Sequence, residues 1–112
     1  MANLKQWLLS EADGEKIQAV VIGEMGWGDY NSEYVPNYAG IPKGRVLSWK
    51  EAAPLLDYEF NSGFSGFGAP GCNAIWAWTK SKVIAIGQYD GRTWPYSVPR
   101  NPVDQMPTME GG

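Results

Sequence analysis

The sequence predicts an α+β fold in which an antiparallel sheet of about four to five strands packs with two short helices and is interrupted by two long loops. Three observations predict it: two helix-capping signals in the first half, a β-branched run between them, and three strand-like runs in the second half. We expect one domain over residues 1–112, with residues 99–112 as an extended tail, because a chain of this length has room for one core.

Capping signals predict both helices. Asn3 stands before an amphipathic stretch and is expected to cap a helix that runs to about Ser10, with Gln6 in the return position of a capping box. The stretch Ser48-Trp49-Lys50-Glu51 is a second capping box, and its helix is expected to continue to about residue 59. Pro54 lies inside that second helix, so we expect a kink or a short first turn.

The strands are predicted from residue alternation and from one turn. Residues 17–22 are apolar on both faces, which is typical of a central strand. Residues 73–79, 83–89 and 93–98 predict an antiparallel meander, because Asp90-Gly91 is a strong hairpin-turn sequence. Pro95 removes one ladder donor, so the last strand should be an edge strand or carry a bulge. Alternation puts apolar residues on one face of each strand: Ala74, Trp76 and Trp78; Val83, Ala85, Gly87 and Tyr89; Trp94, Tyr96 and Val98.

Residues 24–42 (the first loop) and 61–71 (the second loop) lack any period and are rich in glycine and aromatic residues. Glycine lets backbone amides approach a ligand, and aromatic rings offer flat faces to a base, a sugar or a cation. The loops are therefore the best candidate binding site. The predicted ligand-binding residues are Trp27, Tyr30, Tyr34 and Tyr38 in the first loop, Phe64 and Phe67 in the second, and Asn73, Arg92 and Arg100 nearby.

Each of these residues also has a purely structural interpretation. The loop rings could fold back to cap the sheet and helices. The arginines suit a carboxylate or phosphate of a ligand, but a salt bridge to Asp90, Asp104 or Glu59 would explain them equally. Asn73 is either a polar group of a pocket or the turn that opens its strand.

Composition excludes several classes of function. The chain has no histidine, which removes Ser-His-Asp and Cys-His catalysis and imidazole ligands for zinc. Net charge is −3 and the nine basic residues are scattered, which argues against general nucleic-acid binding. No cofactor or metal motif occurs. Neither a membrane-spanning run nor a signal peptide is visible, so we expect a cytoplasmic protein. The single cysteine, Cys72, is expected to be small buried packing, not a nucleophile.

Two pairs of acidic residues deserve a test as catalytic groups, since glycoside hydrolysis needs two carboxylates. Glu24 and Asp29 flank Trp27, and Asp57 and Glu59 precede the second loop. Acidic residues mostly solvate surfaces, so a carboxylate-dependent hydrolase ranks third among the functions considered, and no catalytic residue is assigned.

A short resemblance covers about a fifth of the chain. Residues 83–102, with Gln88-Tyr89-Asp90-Gly91 and Val98-Pro99-Arg100-Asn101-Pro102, resemble the C-terminal end of small single-domain proteins of bacteria and their phages. The resemblance implies a microbial or phage origin and no particular activity.

The sequence thus favours a non-enzymatic protein that holds a small flat or anionic ligand, nucleotide-like or sugar-like, and that forms a homodimer or larger homo-oligomer through exposed tryptophans. The alternative is a protein-interaction module, such as a phage-encoded inhibitor of a host protein, since Tyr and Trp are also favoured at interfaces. A concave site enclosed by both loops would favour the ligand, and a flat aromatic patch would favour the partner.

Overall fold

A computed structural model describes residues 1–26, 31–63 and 70–110 of the chain. Helices and antiparallel sheets are combined in one fold, which confirms the α+β class. Apart from two single-turn 3-10 helices in the first loop, Ser32–Tyr34 and Tyr38–Gly40, the described elements follow in the order β1 (Ala2–Asn3), α1 (Leu4–Ala12), β2 (Ala19–Ile22), β3 (Val46–Leu47), α2 (Trp49–Leu56), β4 (Glu59–Phe60), β5 (Ile75–Trp78), β6 (Lys82–Tyr89) and β7 (Arg92–Pro99).

Both helices begin where the capping signals predict. The Asn3 side chain accepts a hydrogen bond from the amide of Gln6, over 3.1 Å. Ser48 and Glu51 form the complete capping box, each side chain bonded to the other's backbone amide. Helix α1 runs two residues beyond Ser10 and ends at Ala12.

The second helix is shorter than predicted. Helix α2 passes through Pro54 but ends at Leu56, and the expected continuation to residue 59 is wrong because Glu59 lies in β4. Pro54 supplies no amide to the helix, so the last turn is weakly held. The alternating residues after Leu56 gain more by pairing with β1, where Phe60 faces Ala2 and Glu59 faces Asn3.

Five strands form one antiparallel sheet in the order β3-β2-β5-β6-β7. Strand β2 lies between β3 and β5, as its apolar faces predict, and β7 lies at the edge, as Pro95 predicts. Asp90 and Gly91 both have positive φ, 52° and 82°, which is the conformation that a tight hairpin turn between β6 and β7 requires. The two-residue strands β1, β3 and β4 are too short to leave an alternating pattern in the sequence, so they were not predicted.

Both helices cover the same face of the sheet. Helix α1 packs against β6 and β7, and α2 packs against β2 and β3. The core lies between the two helices and the sheet, and its fully buried aliphatic side chains include Leu4, Leu8, Val20, Ile22, Leu56 and Ile84. Within residues 1–26, 31–63 and 70–110, no helix has the length and apolar composition needed to cross a lipid bilayer. The opposite face of the sheet carries neither helix.

Candidate functional site

The described ends of the two loops meet at one end of the sheet. A methyl group added to Gly26, the last described residue before position 27, would lie 3.5 Å from the Pro70 ring, which follows position 69. Asn31, on the far side of the first gap, donates its side-chain amide to the Pro70 carbonyl over 3.2 Å. The flanks of both loops therefore belong to one region of the molecule.

A cleft of about 220 Å³ lies between these flanks and the inner side of the β6–β7 hairpin. We call it the loop cleft. Its walls are mainly apolar, with Met25, Pro70 and Cys72 buried and Ile86 half-buried, while the polar side chains of Glu24 and Gln88 are exposed. Its described lining residues are Glu24, Met25, Gly26, Pro70, Cys72, Asn73, Ala74, Ile86, Gln88 and Thr93.

Asn73 lines the cleft but its polar groups serve the fold. Its Oδ1 accepts a 2.7 Å hydrogen bond from the Tyr58 hydroxyl, its backbone amide donates to the same hydroxyl over 3.1 Å, and its Nδ2 donates to the Gly23 carbonyl over 2.9 Å. Burial raises the pKa of Tyr58 well above its ordinary range, so its hydroxyl stays protonated and can donate. Asn73 is therefore a positioning residue that joins β2, β4 and β5 beneath the cleft.

Thr93 supplies an unusual group to the cleft wall. Its side chain is 4% exposed, and its hydroxyl has no hydrogen-bond partner within the described part of the chain. Burial raises the pKa of the nearby Cys72 thiol to about 12. The Thr93 hydroxyl lowers that pKa in part, but it is not placed to form a hydrogen bond with the thiol. A buried hydroxyl without a partner costs about 1–3 kcal/mol.

The two described tyrosines of the first loop lie in different surroundings. Tyr38 is half-buried, its hydroxyl accepts a 3.1 Å hydrogen bond from the amide of Met25, and Lys43 lies 4.1 Å from its ring centroid. It therefore supports the cleft from behind. Tyr34 is 71% exposed and lines a separate groove of about 560 Å³, together with Asn31 and Asn61 among others.

The arginines do not enter the loop cleft. Arg92 is exposed at the start of β7, paired in register with Tyr89 on the outer face of the hairpin. Arg100 follows the other end of β7, about 26 Å away at 3.3 Å per residue. Its Nη1 donates to Oε1 of Gln18 over 2.6 Å and to the Thr79 carbonyl over 2.8 Å, so its guanidinium ties the end of β7 to the segment before β2 and the segment after β5.

The described residues do not include four of the predicted binding residues, namely Trp27, Tyr30, Phe64 and Phe67. Asp29 of the first acidic pair also lies outside the described residues. In the second pair, Asp57 is engaged by the fold: it accepts from the Asn3 side chain over 2.9 Å and lies 3.7 Å from Lys5. Among the described lining residues of the loop cleft, Glu24 is the single carboxylate. The described ranges contain no group of three acidic or cysteine side chains that could hold a metal ion.

Sequence reasoning overlooked the residues that form the walls of the cleft, chiefly Met25, Ile86 and Thr93. One signal for Thr93 was present: it is a polar residue at an inward position of a strand whose outward residues are aromatic. Comparison of the chain with protein-family models, with curated proteins and with solved structures finds no match.

Proposed function

We propose that the protein is a small-molecule binding protein that holds a neutral, flat ring in the loop cleft. The observation that carries the proposal is that the flanks of both aromatic-glycine loops meet at one mainly apolar cleft. Small-molecule sites are typically concave and apolar with a few polar groups that orient the ligand. In the loop cleft, the Gln88 amide and the Glu24 carboxylate are those groups, and a turn about the Thr93 Cα–Cβ bond would add the Thr93 hydroxyl.

The size of the cleft limits the ligand. A volume of about 220 Å³ lies just below the usual range of about 300–1,000 Å³ for small-molecule sites, so the cleft suits a small ligand with a single ring, such as a nucleobase. Apolar walls formed by Met25, Pro70 and Ile86 favour the flat face of a heteroaromatic ring over a sugar, whose hydroxyls would lose their hydrogen bonds to water there.

The charge of the cleft argues against one of the two ligand types expected from the sequence, the anionic ligand. Its described lining residues include Glu24 and no lysine or arginine, and Arg100 is already bonded to Gln18 and Thr79. A carboxylate at the site disfavours an anion. We therefore propose the flat-ligand half of the sequence-based expectation and not the anionic half.

Thr93 gives the proposal a test that separates binding from folding. Thr93→Val keeps the shape of the side chain and removes its hydroxyl. Because that hydroxyl is buried and has no hydrogen-bond partner among the described residues, the ligand-free variant should be at least as stable as the wild type. If a turn about the Thr93 Cα–Cβ bond brings the hydroxyl to the ligand, the same variant should bind more weakly, by about tenfold for a hydrogen bond of about 1.4 kcal/mol.

The experiment is an NMR titration of the ¹⁵N-labelled protein with free adenine, free uracil and glucose. We expect a nucleobase, and not glucose, to shift the amides of Cys72, Ile86 and Thr93. Ala74→Leu, which places a larger side chain at an exposed position of the cleft, should abolish the shifts, and Ala39→Leu, at an exposed position of the first loop outside the cleft lining, should not. Native mass spectrometry of the protein purified from a lysate extends the search to unknown ligands. No retained mass and no shift with any probe would contradict the proposal.

The second function considered, protein interaction, is favoured by a different observation. The sheet face opposite the helices is broad and aromatic, and a flat aromatic surface is typical of an interface.

A further inference from the structure

The sheet face opposite the helices is built from rows of side chains that cross the strands. The strand registers align five residues in a central row, one from each strand, with Trp76 in the middle. We call this surface the outer face. Its central row is Val46, Val21, Trp76, Ala85 and Tyr96; the row on one side is Ala19, Trp78, Val83 and Val98; and the row on the other side is Gly87 and Trp94.

The outer face is uncharged and partly exposed: three of its eleven residues are exposed and the other eight are half-buried. Trp76 is 59% exposed and Val46 is 75% exposed, although adjacent Ile75 and Leu47 are buried on the inner side. None of the residues in the three rows is charged, in a chain with 19% charged residues. Arg92 lies beyond the last row, at the hairpin end. A contiguous apolar surface of this kind is rare on a monomer and marks an interaction site.

The arrangement of the rings points to apolar packing. The Trp76 and Trp78 rings are 6.5 Å apart at an interplanar angle of 80°, edge to face. A sugar or a base stacks on a flat ring face, and these two rings do not form one plane. The Trp94 ring lies against Gly87, where an added methyl would be only 2.8 Å from the indole. The rows also lack the lysines and arginines that a nucleic acid or an anionic membrane needs.

The outer face continues into a groove beside the edge strand. Between β7 and the C-terminal tail lies a groove of about 700 Å³, whose lining includes Tyr96 and Val98 on the strand and Val103 and Met106 on the tail. The tail folds back along the strand, and the Trp94 indole donates to the Glu110 carboxylate over 3.2 Å. Met106 is 83% exposed. Val103 and Met106 of the tail thus extend the outer face beyond the sheet, in a groove whose lining also includes the charged side chains of Arg100 and Glu110.

We propose that two copies of this chain pack their outer faces together, so that the two sheets form a sandwich with a helical layer on each outside. A second copy fits this surface on two grounds. First, an uncharged apolar face is complementary to itself, whereas an oppositely charged partner would find no charge to pair with on these rows. Second, a twofold axis near the centre of the face would bring Trp76 against its own copy, as an isologous interface requires.

The area suits a weak, concentration-dependent dimer. The eleven residues of the three rows, on strands about 4.8 Å apart and in rows about 7 Å apart, cover roughly 370 Å² in projection. The groove and the tail add to this area. Two such faces form an interface at the small end of the range, near or below about 1,200 Å² in total, which is typical of weak association. Sheets packed face to face lie about 10 Å apart, which leaves room for the tryptophan rings to interdigitate.

The test is the mass of the protein in solution, measured by light scattering after gel filtration at loading concentrations from about 1 to about 100 µM. We expect the wild type to approach twice the 12.3 kDa of one chain as concentration rises. Trp76→Lys should weaken the association at least a hundredfold, because it buries a charge at the centre of the interface. Leu9→Lys replaces a residue of α1 that is 42% exposed, on the layer opposite the outer face, and should leave the dimer intact.

Circular dichroism checks that loss of the dimer in Trp76→Lys is not caused by unfolding. Trp76 is exposed in one copy, so Trp76→Lys should retain the helix and sheet signal of the wild type at low concentration, where both are monomeric. A wild type that stays monomeric at about 100 µM would overturn the proposal, as would a dimer that Trp76→Lys leaves unchanged or a stable one-to-one complex with a different protein on this face. The loop cleft lies on the inner side of the hairpin, so loss of ligand binding alone would leave this proposal standing.

Discussion

The Tyr58 hydroxyl and the Asn73 carboxamide share a closed pair of hydrogen bonds in the core. The hydroxyl donates to Asn73 Oδ1 over 2.7 Å and accepts from the Asn73 backbone amide over 3.1 Å. Both residues are buried, and the remaining Asn73 donor reaches the Gly23 carbonyl. The segment after α2, the end of β2 and the entry to β5 are held together at this point, directly beneath the loop cleft.

This pair of hydrogen bonds predicts that removal of the Tyr58 hydroxyl oxygen lowers the stability of the fold substantially. Tyr58→Phe leaves the buried Asn73 Oδ1 and backbone amide without their shared partner, and each such group costs about 1–3 kcal/mol. We expect the free energy of unfolding in urea to fall by about 2–3 kcal/mol. Tyr34→Phe is the matched control: that ring is 71% exposed, so its change should stay within about 0.5 kcal/mol. Equal effects of the two variants would show that the pair contributes nothing to stability.

The parts of the fold predicted from sequence are those specified by local chemistry. Asn3 and Ser48 cap the two helices because a side-chain oxygen next to free backbone amides is favourable whatever the rest of the chain does. Asp90 and Gly91 form the hairpin turn because their positive φ values suit only a few residue types. The aromatic face of the meander followed from the two-residue period of a strand.

What the sequence did not predict depends on contacts between distant segments. Arg100 bonds to Gln18 and to the Thr79 carbonyl, and not to one of the acidic residues considered as an alternative, because these distant segments come within its reach only in the folded sheet. The sequence is equally compatible with Asn73 as a pocket group and as a turn residue, and only its contact with the distant Tyr58 hydroxyl defines its role. The walls of the loop cleft come from the segment after β2, from the segment before β5, and from β6 and β7, and no local sequence pattern relates these segments.

The two arginines predicted from the sequence as ligand-binding residues, Arg92 and Arg100, should contribute differently to the free energy of unfolding. Arg100→Ala removes the 2.6 Å and 2.8 Å hydrogen bonds that fasten the end of β7, and we expect it to lower the free energy of unfolding by about 1 kcal/mol. Arg92→Ala changes an exposed side chain at the hairpin end and should stay within about 0.5 kcal/mol. Thermal or urea unfolding of both variants checks this. A larger loss for Arg92→Ala would contradict the assignment.

Cys72 should be chemically inert while the protein is folded. Its thiol is buried, and burial raises its pKa to about 12, so at pH 8 the reactive thiolate is scarce as well as shielded. We expect labelling by an aromatic disulfide reagent at pH 8 to be at least a hundredfold slower in the folded protein than in about 6 M guanidinium, where the thiol regains ordinary reactivity. Labelling at the unfolded rate under native conditions would contradict the buried position of Cys72.

Stability should also depend on pH through Glu15, whose carboxylate fastens the turn between β5 and β6. It accepts hydrogen bonds from the Thr79 hydroxyl over 2.6 Å and from the Ser81 hydroxyl over 2.7 and 2.8 Å. These hydrogen bonds, that of Thr79 first, hold the pKa of Glu15 in the folded protein below its ordinary value of 4.5. A carboxyl group whose pKa is lowered by folding stabilises the protein above its unfolded pKa, and the contribution is lost as pH falls through the folded pKa.

Glu15→Gln removes that charge while keeping an acceptor for Thr79 and Ser81. At pH 7 the variant should therefore melt at a lower temperature than the wild type, and the difference should shrink as pH falls below about 4.5, where the wild-type carboxylate becomes protonated too. Glu33→Gln, at an exposed position of the first loop, serves as the control and should follow the wild type at each pH. Melting curves recorded by circular dichroism from about pH 2 to pH 7 make the comparison, and a Glu15→Gln difference that stays constant over this range would rule out the charged hydrogen bonds as its cause.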